Sequence, residues 1–185
     1  MRTFRLSSHP SKAGVQLRIA GIIGAVWGMV GVLGILGYAI IRLTPVSLEV
    51  LSFELLWYHW LALIGNTLFM IYSEGYKGFQ TAFSPRVAAR ARYLSQNPTS
   101  LDVLLAPLFC VGYYKTSKRR KTAVCVLTIG IMMLIGVVRL LDQPWRGIID
   151  AGVVVGLSWG IVATTIYMGL AFTSKGLDYD PEIVD

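Results

Sequence analysis

Few residues of this 185-residue chain could do chemistry, and they gather near the ends of apolar runs. Glu54, His59, Arg139, Asp142, Arg146 and Asp150 flank or interrupt three such runs. Ionisable groups at membrane depth are costly, which makes them candidate functional residues. His59 with Asp150 is the pair that would titrate, and Arg139 or Arg146 would anchor an anion or a headgroup. Arg146 and Asp150 are one helical turn apart, a spacing that suits an ion pair. A plainer reading competes with this one: the arginines snorkel toward phosphates, Asp142 caps the following helix, and the rest satisfy one another. That reading is favoured, because every group lies near an interface, where the cost is small. Asn66 is the deepest polar side chain of its run. It is expected to hydrogen-bond to a neighbouring helix, with a ligand contact as the alternative.

Other chemistries find no support. His59 is the one histidine in an apolar run, and no histidine–carboxylate spacing suits zinc or a di-iron centre. Neither a metal nor any other cofactor is expected. Cys110 and Cys125 have no metal-ligand or redox spacing and read as small apolar residues. Gly156-Leu-Ser-Trp-Gly160 has the spelling of a nucleophile elbow. That motif needs a strand-to-helix turn, whereas Ser158 sits in the middle of an apolar helical run. There is no P-loop or dinucleotide fingerprint, and no catalytic residue is assigned.

The elements that must position these groups follow from composition. Hydrophobic residues make up 55% of the chain and charged residues 15%, against about a quarter charged in soluble domains. A helix needs about 20 apolar residues to cross the hydrocarbon core. Residues 19–41, 55–72, 122–138 (continuing to 141) and 151–172 are the candidate spans. Unpaired backbone groups are too costly in lipid, so the spans must be helices. The fold class is therefore an all-α integral membrane protein with four transmembrane helices. The expected organisation is a basic tail (1–18), two spans (19–73), a basic middle segment (74–121), two further spans (122–172) and an acidic tail (173–185).

The net charge is +7. In so apolar a chain it points to membrane lipid, not nucleic acid. Arg2, Arg5, Lys12 and Arg18 lie in the first tail, and most other basic residues lie in the middle segment. The charge rule keeps both termini and the middle segment cytoplasmic. A bacterial inner membrane is the expected location. The basic, acid-free start makes a mitochondrial membrane the minority reading.

Within the middle segment, Ser84 and Pro85 suggest a helix start and Pro98 an end. Arg86, Arg90 and Arg92 would hold this short helix on anionic lipid, with a plain solvated helix as the alternative. Residues 101–114 are of the length expected for a re-entrant or interfacial segment, and the charge rule disfavours a fifth span there.

Glycines recur along two runs. Gly152, Gly156 and Gly160 make a row at every fourth position, and Gly24 and Gly28 another. Small residues let helix backbones approach closely in lipid. The first and last spans are expected to pack on each other within one chain, with an interface between subunits as the alternative. For function, the sequence favours a non-enzymatic subunit of a homo-oligomer or larger membrane complex. A small channel or transporter with a polar site near the outer leaflet is the second reading. A membrane enzyme acting on lipid-like substrates is the third.

Overall fold

The structure is a computed structural model that describes residues 12–173 and 179–184. The expected basic tail before Lys12 and residues 174–178 of the acidic tail lie outside the described residues. All regular structure among those described is helical: α1 Lys12–Glu49, α2 Trp57–Met70, α3 Ser84–Gln96, α4 Ser100–Leu104, α5 Ala106–Val111, α6 Lys118–Val138 and α7 Trp145–Ala171.

Three stretches are long and apolar enough to cross a membrane: Gln16–Ser52, Lys118–Val138 and Trp145–Ala171. The fourth expected span is different. α2 is an α-helix of only 14 residues, and the chain then winds as a π-helix over Ile71–Phe83 before returning to α-helix in α3. The joints at Met70, Ile71, Phe83 and Ser84 keep right-handed helical backbone, so residues 57–96 form one continuous rod. Pro85 stands at the joint where the π-helix passes into α3. Ser84 does not cap that helix. Helical backbone precedes it, and its hydroxyl is 2.9 Å from that of Thr164.

α7 runs beside this rod in the same direction. Asn66 and Met70 meet Gly152, Glu74 meets Gly156, Phe79 meets Gly160 and Ser84 meets Thr164. The last three pairs show how the rod fits. On the π-helical side the residues are five apart; on α7 they are four apart. A π-helix bonds i to i+5, so residues roughly five apart return to one face, whereas an α-helix returns after about four. The wider winding therefore keeps side chains in step with the small residues of α7.

α1 runs antiparallel to both. Its Gly21 abuts the Ser95 backbone, Gly24 abuts Val103 and Leu94, and Gly28 abuts Cys110 and Ala106. At the far end Val50 meets Gly147. The two glycine rows thus have different neighbours. The α7 row receives α2 and the π-helix, and the α1 row receives α3, α4 and α5.

The core sits at this second junction. Ala25, Val87, Ala88, Ala91, Leu94, Ala106, Phe109 and Met168 are among its buried members. α3 is consequently an interior helix and not a strip lying on lipid. α4 and α5, each too short to cross a bilayer, fold along α1, while Leu101, Leu104 and Leu108 stay exposed. α5 ends at Gly112, whose left-handed φ of 97° suits a residue without a Cβ.

α6 is the exception to this packing. Ser117 caps its start by accepting from the Arg120 N–H. From Thr122 to Val137 its side chains are exposed or half-buried on every face, and only Val138 is buried. Among the described residues no other helix lies along it.

Candidate functional site: a polar seam between α7 and the π-helical rod

The polar groups of the bundle are arranged along the contact of α7 with α2, the π-helix and α3. At the first end, Arg146 Nε stands 3.9 Å from Asp150 Oδ2, and Asp150 is only 5% exposed. His59 is also buried, but it is not joined to Asp150. Its Nδ1 accepts the Leu56 N–H at 3.2 Å, and its ring lies edge-on to Trp145 and tilted against Tyr58. The imidazole serves the start of its own helix.

Glu54, Arg139 and Asp142 are exposed, and none of their side chains takes part in a hydrogen bond or ion pair among the described residues. Asp142 does not cap α7. Gln143 does so, accepting the Gly147 N–H at 3.1 Å while donating to Val46 O and to Glu49 Oε2. Of the six candidates, the structure brings together only Arg146 and Asp150.

Further along, Asn66 donates to Ile148 O at 2.8 Å and to Ile149 O at 3.4 Å. These carbonyls belong to the turn preceding Gly152. A Cβ at Gly152 would strike the Asn66 amide, so the glycine is what lets the amide reach the α7 backbone. Glu74 comes next. A Cβ at Gly156 would lie 2.8 Å from Glu74 Oε2, and that oxygen is enclosed without a hydrogen-bond partner. Trp159 then donates its ring N–H to Gln80 Oε1 at 3.0 Å, and the Ser84–Thr164 pair follows. Glu74 and Gln80 were not legible as site residues. Their nearest sequence signal is the five-residue spacing Glu74, Phe79, Ser84, which no α-helical template picks out.

A second polar centre lies where α3 meets α5. Arg90 is fully buried. Its Nε donates to Phe109 O at 2.7 Å, Nη1 to Pro181 O at 3.0 Å and Nη2 to Tyr114 O at 2.9 Å. The guanidinium carbon lies 4.4 Å from the centre of the Phe109 ring. Desolvation lowers the Arg90 pKa from its ordinary value, yet guanidinium remains charged in proteins. Arg90 therefore cannot be a lipid anchor: its fork is consumed by three carbonyls inside the protein. Arg86 and Arg92 are half-buried on the same helix.

Beside Arg90, Asp102 is 2% exposed and accepts from Lys115 Nζ at 2.6 Å and from Thr99. Lys115 has a left-handed φ of 50°, which is strained for a residue with a Cβ. Its carbonyl accepts from the Val184 N–H at 3.4 Å and from Arg90 at 3.3 to 3.4 Å. Burial, reinforced by Asp102, pushes the Tyr114 phenol up to about 12. Burial likewise pushes the Cys110 thiol up to about 12. Cys110 and Cys125 are both free thiols.

Ser158 lies in mid-helix with its hydroxyl turned back onto Val154 O at 2.7 Å, which leaves no elbow for a nucleophile. Among the described residues, no three histidines, cysteines or carboxylates gather as a metal site would require. Compared with protein-family models, curated proteins and solved structures, the chain has no significant match.

Proposed function

We propose that this chain is a non-enzymatic subunit of a homo-oligomer or a larger membrane complex. Four spans hold it in the bilayer, the fourth being α2 with the π-helix, and both termini and residues 84–121 face the cytoplasm. A bacterial inner membrane fits this arrangement. The observation that carries the reading is α6. Its apolar residues cover every face, and no helix lies along it among the described residues. Helix association in lipid rests on close packing, and α6 forgoes that packing within its own chain. Gly130 and Gly136 face open space on it, leaving room for a neighbouring backbone.

Membrane sidedness rests on the exposed cluster Lys118, Arg119 and Lys121 at the start of α6 and on the charge rule. The test is mass measurement of the protein released in mild detergent and in lipid discs, with single cysteines placed along α6 for cross-linking. An assembly heavier than the 20.4 kDa chain, with cross-links falling on one α6 face, is expected. A lone chain in both media would refute the proposal. A second reading, a small transporter, is favoured by one observation, the polar seam running from Arg146 to Thr164.

A further inference from the structure

Glu74 is the group in the seam that the packing leaves unexplained. Asn66 is satisfied by two carbonyls, Gln80 by Trp159 and Ser84 by Thr164. Glu74 Oε2 is enclosed against Gly156 and accepts from nothing. Gly156 is eleven residues beyond Trp145, the first residue of α7 (156 − 145). At about 1.5 Å per residue that is roughly 16 Å, near the middle of a hydrocarbon layer about 30 Å thick.

No cation stands within ion-pair reach of Glu74 among the described residues. On α7, Arg146 is committed to Asp150 near the helix start. On the π-helix, Lys77 lies 5.6 Å from the centre of the Tyr72 ring, and on α2 His59 bonds Leu56. Arg18, Arg42 and Glu49 of α1 are exposed. On α3, Arg86 is half-buried and Arg90 is bound to carbonyls. Glu74 is half-buried, and one oxygen of its carboxyl is enclosed without a partner; at membrane depth an ionised carboxylate so placed is more costly than a neutral one, so the group takes up a proton.

The winding of the chain at this point is the second observation. Glu74 belongs to a π-helix of 13 residues, where single π turns are usual and often mark functional sites. We propose that Glu74 is a proton-binding site within the membrane: its carboxyl carries a proton taken from water while the π-helix is seated on α7. Rewinding of Ile71–Phe83 toward α-helix would break the five-to-four match with Gly156 and Gly160. It would lift the carboxyl off α7, expose it to water and release the proton. This inference rests on α2 and the π-helix lying at membrane depth, but not on the chain being a subunit of an assembly.

The test is infrared spectroscopy of the full chain in phosphatidylethanolamine–phosphatidylglycerol vesicles at neutral pH, where exposed carboxyls are ionised. Glutamate occurs only at positions 49, 54, 74 and 182, and the other three are exposed. A carboxylic-acid carbonyl band that shifts when the protein carries 13C-glutamate therefore reports Glu74 without any substitution. The expected result is that band at neutral pH, kept in Asp150→Asn and lost in Glu74→Gln. Absence of the shifted band in the unsubstituted protein, or its survival in Glu74→Gln, overturns the proposal. A Glu74→Gln chain that fails to fold leaves the isotope measurement to decide alone.

Discussion

Gly160→Ala isolates the fit between α7 and the π-helix. A Cβ at Gly160 would lie 2.7 to 2.8 Å from three atoms of the Phe79 ring, closer than real Cβ contacts come. One of those atoms is the ring root, so turning the ring about its own axis gives no relief, and either χ1 of Phe79 or the π-helix must shift. Overpacking of this kind costs about 1–3 kcal/mol. Alanine also gains up to about 1 kcal/mol over glycine in helix propensity, so the two effects oppose each other. Gly34 and Gly37 supply the reference, because a Cβ at either meets nothing within 4 Å and only the propensity gain remains. The expected ordering is Gly34→Ala and Gly37→Ala at or above the parent, and Gly160→Ala about 0–2 kcal/mol below it. For a chain of this size 1 kcal/mol moves a thermal midpoint by about 2–4 °C. The assay is the unfolding midpoint, followed by tryptophan fluorescence in one detergent. Gly160→Ala as stable as Gly34→Ala would refute the seating of Phe79 on the α7 glycine row.

Arg90→Lys keeps the charge but not the fork that meets Phe109 O, Tyr114 O and Pro181 O. With charge-assisted hydrogen bonds at about 1.5–3 kcal/mol each, a loss of about 2 kcal/mol or more is expected, and an unchanged unfolding midpoint would contradict it. Cys110, buried and with its thiol pushed up to about 12, should stay unlabelled by a membrane-permeant maleimide at neutral pH while half-buried Cys125 reacts; mass spectrometry of peptides would reveal the reverse. Tyr114 has a folded-state pKa of about 12, above the unfolded value of about 10. Its proton therefore stabilises the fold below pH ~10, and that contribution is lost as pH rises toward about 12. Tyr114→Phe should flatten this part of the alkaline stability profile, and an identical slope in both proteins would exclude the phenol as its source.

Helical structure and three long apolar elements were legible because run length and hydrophobicity are local properties. So was the Arg146–Asp150 contact, whose four-residue spacing fixes it within one helix. Asn66 stood out as a lone amide in an apolar run. The π-helix was not legible. The apolar run ends at residue 72, and the five-residue recurrence of Glu74, Phe79 and Ser84 belongs to no standard template.

Arg90 was read as an anionic-lipid contact because it stands with Arg86 and Arg92 on a short basic helix. The alanines have another meaning in the fold: Ala88 and Ala91 are buried core members, while Leu94 and Ser95 of the same helix lie against Gly21 and Gly24 of α1. The partners of Arg90 lie 19 to 91 residues away, beyond the reach of periodicity. His59 was paired on paper with Asp150 by depth. Depth gives no azimuth, and the ring turned toward the backbone of Leu56.

The π-helix spends five residues where α7 spends four, and three successive pairs of marks coincide only in this one register. Deleting or inserting a single residue between Ile71 and Phe83 would put every mark beyond it out of coincidence with the marks before it. Exchanging one side chain disturbs only a single mark. This stretch should therefore accept many changes of residue type and almost no change of length, while α6, along which no other helix lies among the described residues and whose mid-helix side-chain contact is the Thr128 hydroxyl with Tyr113, should show no such intolerance.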